Sequence, residues 1–215
     1  MAKSTDQSQG EIAYSALIDA LRTGVFGPGD RLREEDVSRR LALSRTPVRE
    51  ALRRLETAGL VEHRARSGAV VRTLSHAEVV ELYEMRFVLE RTAAELSARH
   101  ATEAELDTLA ALNLEIAAAV GAPAAAVALN QKFHATLYAS ARNRFLVDSA
   151  AALTHALLLL GPSTLADTAR VQAMATQHEA ILNGLRARDP AAAGAAARAH
   201  LEASLRVRLS ILAGR

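Results

Sequence analysis

From Ser75 to its end the sequence offers one kind of regular structure, the helix, and nothing else about it restricts the fold as strongly. Ala and Leu dominate, while aromatic residues make up only 3% of the chain. Strands draw on β-branched and aromatic types, helices on Ala and Leu. Five breaks divide the stretch, at Ala101-Thr102, Gly121-Ala122-Pro123, Arg142-Asn143, Gly161-Pro162 and Asp189-Pro190. Each joins a cap or turn former to a helix stop. Six helices are therefore expected, over about 76–99, 103–120, 123–141, 144–161, 165–187 and 190–211. Ser75-His76-Ala77-Glu78 has the form of a capping box at the start of the first. Helices of this kind bury their apolar stripes against one another, so residues 75–215 read as an all-α antiparallel bundle.

The first 74 residues are patterned differently. Residues 1–10 are polar and read as a disordered lead without the apolar segment of a signal peptide. Ile12, Leu17, Ile18 and Leu21 mark a helix that Gly24 ends. A turn at Gly27-Pro28-Gly29-Asp30 leads to a short helix from Arg33 to Leu41. The tight turn Ala42-Leu43-Ser44 and a second helix follow, with Gly59 placed as its left-handed cap. Leu60–Arg64 and Ala69–Arg72 then flank the basic turn Ala65-Arg66-Ser67-Gly68, the signal of a small hairpin. Helix, helix, turn, helix, hairpin is the order of a winged helix-turn-helix. The chain is mainly α, with this domain over 11–74 and the bundle over 75–215.

Arginine placement indicates what the first domain touches. Ten arginines and no lysine lie between Arg31 and Arg66, and the guanidinium fork suits phosphate oxygens and guanine edges. In Ser44-Arg45-Thr46-Pro47-Val48-Arg49-Glu50-Ala51-Leu52-Arg53-Arg54-Leu55, Ser44 or Thr46 can cap the helix. Pro47 is tolerated in the first turn. Val48, Leu52 and Leu55 form the buried stripe, and Arg45, Arg49 and Arg53 recur every four residues on another face. A helix start carrying hydroxyls and arginines suits entry into the major groove of double-stranded DNA. Arg54 reads as solvated or bridging to an acidic neighbour, and Arg53 ranks with it below Arg45 and Arg49. The absence of cysteine excludes disulfides and thiolate metal sites. No apolar run reaches the ~20 residues of a membrane span, so a cytoplasmic protein with no membrane partner is expected.

Seven histidines occur. His134, His178 and His200 fall on three different expected helices, which a bundle could converge, and Asn130 stands one turn before His134. Neutral imidazoles with an oxygen ligand suit a divalent ion such as zinc, nickel or manganese. Spacing alone favours three scattered helix histidines, because no HExxH-type motif ties any two together.

Leu32-Arg33-Glu34, Ser44-Arg45-Thr46-Pro47-Val48-Arg49-Glu50-Ala51-Leu52, Gly59-Leu60-Val61 and Gly68 resemble the N-terminal signature of GntR-family repressors. Leu82-Tyr83-Glu84-Met85-Arg86, Leu89-Glu90, Phe133-His134, His178-Glu179-Ala180-Ile181 and His200-Leu201 resemble the FCD ligand-binding domain of its FadR subfamily, and six helices resemble its VanR-like branch. The resemblance implies an effector-responsive regulator, a homodimer on a palindromic operator. Ser44, Arg45, Thr46, Arg49 and Arg53 would then face DNA, with Arg33, Arg66 and Gly68 at the backbone or minor groove. It also implies a metal held by three histidines and an acidic residue, here Asn130, which brings no charge. Arg86 would anchor a small carboxylate, or pair with Glu90 or Glu84. A metal-dependent hydrolase would need a carboxylate beside that metal, and none is expected there. A ligand-free architectural DNA-binding protein would need a solid bundle without a polar pocket.

Overall fold

The computed structural model describes residues 8–65, 67–161 and 164–214. It comprises two compact units, one of residues 1–74 with 154–162, the other of 75–153 with 163–215.

The first unit begins with α1 (Gln9–Arg22). Ser8 caps it, its hydroxyl accepting from Glu11 N at 3.2 Å, so residues 8–10 belong to the helix rather than to a disordered lead. Gly10 is buried there because an added Cβ would come within 2.6 Å of the Glu50 carboxylate. Residues 1–7 lie outside the described residues. α2 (Glu34–Leu41) ends on left-handed Ala42, and α3 (Arg45–Thr57) is followed by Gly59 at φ +70°. β1 (Val61–Arg64) pairs antiparallel with β2 (Gly68–Val71) in the register Val61 to Val71. Arg31 adds a single bridge to Val70. Leu17, Leu32, Val37, Val48, Leu55 and Leu60 form the core. Leu159 is buried in it too. Residues 154–162 thus belong with this unit, whereas the sequence pattern assigns them to the bundle.

The second unit contains α4 (His76–His100), α5 (Glu103–Ala118), α6 (Pro123–Ser140), the first part of α7 (Arg144–Leu157), α8 (Thr168–Arg186) and α9 (Pro190–Ala213). The helix expected to reach 161 ends at Leu157 and passes into a 3-10 turn at Leu158–Leu160. Ser75–Glu78 and Thr102–Glu105 both close reciprocal capping boxes, and Pro123 and Pro190 open α6 and α9 where a missing N–H does no harm. α9 packs along α4 and α8, while α5 lies against α6 and α8. Fully buried Ala93, Ala94, Ala193 and Ala197 leave little side chain between these helices. Ser97 donates to the Leu137 carbonyl at 2.8 Å, a polar tie between α4 and α6. Among the described residues no helix is long and apolar enough to cross a membrane.

The tightest helix contact lies between α8 and α9. A Cβ at Gly184 would stand 2.5 Å from the Ala193 nitrogen and 2.7 Å from its Cα. Helix propensity favours Ala over Gly by about 1 kcal/mol, but here the obstacle is backbone, which cannot swing aside. Gly184→Ala should therefore lose about 1–3 kcal/mol of stability, read as a lower urea midpoint at unchanged slope.

Candidate functional site

Two groups of residues carry the chemistry, one in each unit. In the first, Ser44 occupies the N-cap position of α3 with extended backbone, yet its side chain makes no capping hydrogen bond. Thr46, inside the first turn, is exposed like Ser44. Both hydroxyls and the unpaired N–H groups of the first turn therefore face outward. Val48, Ala51, Leu52 and Leu55 turn inward, which fixes the opposite face for the arginines. Arg49 donates from Nε and Nη2 to the two oxygens of Glu34, at 2.7 and 2.8 Å. That fork holds the Glu34 carboxyl below its usual range, against a smaller opposing effect of burial. Arg45 pairs with Glu35 at 2.7 Å. Arg53 and Arg33 are exposed, and Gly68 opens β2 at φ +75°; Arg66 lies outside the described residues. Arg54 bridges to Glu11 at 2.7 Å, its guanidinium 4.0 Å from the Tyr14 ring centroid, so it ties α3 to α1.

In the second unit, α6, α8 and α9 bring His134, His178 and His200 together, with ligand-capable atoms all within 4.8 Å of one another. His178 is fully buried, its ring stacked on Phe133 at 4.0 Å and 1°. Neither of its nitrogens has a hydrogen-bond partner among the described residues, and neither does the buried Asn130 Oδ1. His200 Nδ1 lies 3.0 Å from Gln177 Oε1, which also accepts from Arg170 Nη1 at 3.4 Å. An amide oxygen can only accept, so Nδ1 of His200 carries the proton and Nε2 keeps its lone pair. Nδ1 of His134 rests on Glu90 Oε1. A bare lone pair would be repelled there, so this proton is also on Nδ1.

Burial, reinforced by neighbouring positive charge including that of Arg170, pushes His178 and His200 well below the usual histidine range. Both are neutral at ordinary pH, the state in which imidazole ligates a metal. Three imidazoles with ligand-capable atoms within 4.8 Å of one another make a donor set that fits a divalent ion of the zinc, nickel or manganese type.

Sequence reasoning expects no carboxylate beside this cluster, and Glu90 corrects it. Glu90 is 2% exposed on α4. Burial opposes its charge, yet His134, Arg86 and Tyr138 together hold its carboxyl below the usual range. Arg86 lies 3.9 Å from Glu90 and over the Tyr83 ring, so of its two readings the structure displays the intrahelical pair. The Arg86–Glu90 spacing of four is the one signal the sequence holds; the approach of α6 is not readable from it. Gln177 and Arg170 escape sequence reasoning too, having no motif of their own.

Residues 9–71 match the family profile described as bacterial regulatory proteins, gntR family, and residues 81–203 match the FCD domain. An HTH-type transcriptional regulator of Mycobacterium tuberculosis is 34% identical over 212 residues, 88% of this chain and 85% of the relative. An HTH-type regulator from the ttuE-ttuC' intergenic region of Agrobacterium vitis is 38% identical over 135 residues, 60% of this chain and 78% of its own length. Among solved structures, McbR/YncC of E. coli shares the fold at a TM-score of 0.83 over 96% of this chain and 99% of its own, with 20% identity.

Glu90 holds a buried cation and a buried imidazole at once. Glu90→Leu should lower stability by about 3–5 kcal/mol, the usual result of leaving a buried charge without its partner, measured by urea denaturation of the metal-free protein.

Proposed function

Because this chain belongs to the GntR family of bacterial regulatory proteins and carries an FCD domain, we propose that it represses transcription as a homodimer on a palindromic operator and lets go when a small carboxylate enters a metal-bearing sensor. The protein is a DNA-binding transcription regulator and not an enzyme. The observation that carries the sensing half is the meeting of three imidazoles in a closed bundle, one of them with both nitrogens unpartnered.

On the DNA side, α3 enters the major groove. Ser44 and Thr46 meet phosphates at its N-terminus, and Arg45, Arg49 and Arg53 reach base edges or backbone. Arg33 and the wing at Arg66 and Gly68 follow the adjacent backbone or minor groove. Two such heads on a two-fold axis match two half-sites about one helical turn apart.

On the sensing side, Asn130, His134, His178 and His200 would hold the ion. A bound divalent ion supplies a Lewis-acidic point for a carboxylate oxygen. Gln177 and Glu90 hold the Nδ1 protons of His200 and His134, which would leave Nε2 of each ring as the atom to ligate an ion. Glu90 would also furnish the negative charge that Asn130 lacks, acting through the His134 imidazole. Ligand binding then favours one of two sensor states, and the affinity for DNA changes by the same coupling free energy.

Two measurements test the halves separately. Arg49→Ala should weaken binding to a DNA fragment selected by the wild-type protein about ten- to a hundredfold in a mobility-shift titration; unchanged affinity would remove Arg49 from the interface. Wild-type protein should purify with, or take up, about one zinc per chain and melt higher with it. His178→Ala should retain the helical circular dichroism spectrum and lose both effects, and zinc uptake at the wild-type level would contradict the site.

A further inference from the structure

Arg170 stands at the start of α8, 8% exposed, next to the histidine cluster. Arg86, the other arginine beside the cluster, has Glu90 for its charge. Among the described residues the Arg170 guanidinium has no carboxylate partner: its one hydrogen bond is to the Gln177 amide oxygen, reached from Nη1 at 3.4 Å. Its Nε is buried and unpartnered, and Nη2 makes no bond to any described residue. Nε and Nη2 form one edge of the guanidinium, two parallel donors spaced for the two oxygens of a carboxylate. Its charge is felt at both His178 and His200, and Gln177 links it directly to His200. A cation this deeply buried is unfavourable unless something anionic offsets it. Neighbouring Tyr83 is committed to Ser204 at 3.1 Å, and Glu90 serves Arg86 and His134.

We infer that Arg170, rather than Arg86, is the anchor for the anionic ligand of the sensor, and that its Nε–Nη2 edge receives a carboxylate beside His178 and His200. This rests on the sensing reading of the same cluster, but the edge, the burial and the missing counter-charge are properties of the protein alone. Arg86 instead keeps Glu90 charged and in place against His134. A carboxylate suits the edge better than a phosphate, since the edge offers two parallel donors.

The test is thermal melting of the full chain, with and without zinc, titrated with acetate, succinate, phosphate or chloride at matched ionic strength. Wild-type protein should melt progressively higher with acetate or succinate and not with chloride. Arg170→Gln should melt no lower than wild type without added anion, because it removes an uncompensated buried charge. It should also show at least a tenfold weaker response to the carboxylates. Arg170→Lys, which keeps the charge but not the fork, should fall between the two. An unchanged carboxylate response in Arg170→Gln overturns the assignment, and if His178→Ala still abolishes zinc uptake the metal-bearing sensor survives that failure. A fall of several degrees in anion-free Arg170→Gln also overturns it, marking a structural arginine. So does a wild-type response to phosphate alone, or to no anion. In every outcome, DNA binding by wild type and Arg170→Gln reports independently on the regulator reading.

Discussion

Three imidazoles are held together in a small-residue bundle with their ligand-capable atoms within 4.8 Å of one another, and much of the second unit answers to that demand. Burying a polar atom without a partner is unfavourable, and His178 leaves two such atoms inside the protein. The surrounding groups limit this burden by fixing protons. Gln177 accepts from Nδ1 of His200, Glu90 from Nδ1 of His134, and Phe133 presses flat on His178. Each ring is thereby left with one orientation. The close approach of α4, α8 and α9 through Ala94, Ala193, Ala197 and Gly184 keeps these rings on elements that cannot drift apart.

Much of this fold is legible in the amino-acid sequence, because its signals are local. Ser75 and Glu78, Gly59, Pro123 and Pro190 act within a turn of where they stand, and the elements begin and end close to them. The hairpin follows equally from its basic turn and two short β-prone runs. The sequence misleads where the deciding partner is distant along the chain. Gly10 looks like part of a polar lead until Glu50 is found against it. Residues 154–162 have a helical, apolar pattern, which cannot show that Leu159 is buried among residues of the first unit.

The site divides along the same line. The three histidines are recognisable because their surroundings resemble a known pattern, and Arg54 ranks low as a DNA contact because an acidic partner is plausible for it. Glu90 is invisible as a neighbour of His134: 44 positions separate them, and only the packing of α4 against α6 closes that gap. Arg170 and Gln177 lie seven apart on one helix, two turns that put them on one face. Nothing in that spacing says the face is buried, and without burial a solvated arginine is the ordinary reading.

The reading head has a property that concerns selectivity rather than strength. Glu34 and Glu35 already occupy Arg49 and Arg45, so on the proposed role each arginine would exchange one anion for another on meeting DNA. A lone phosphate offers little advantage over a carboxylate already in place, and the displaced glutamates are then left near a polyanion. Contacts with arbitrary sequence would thereby be weakened more than contacts with a matching one, where base edges add donor–acceptor pairs that glutamate cannot imitate. On the proposed DNA-facing role of α3, the two acids would act as resident competitors for the arginines, favouring sites that offer more than a phosphate.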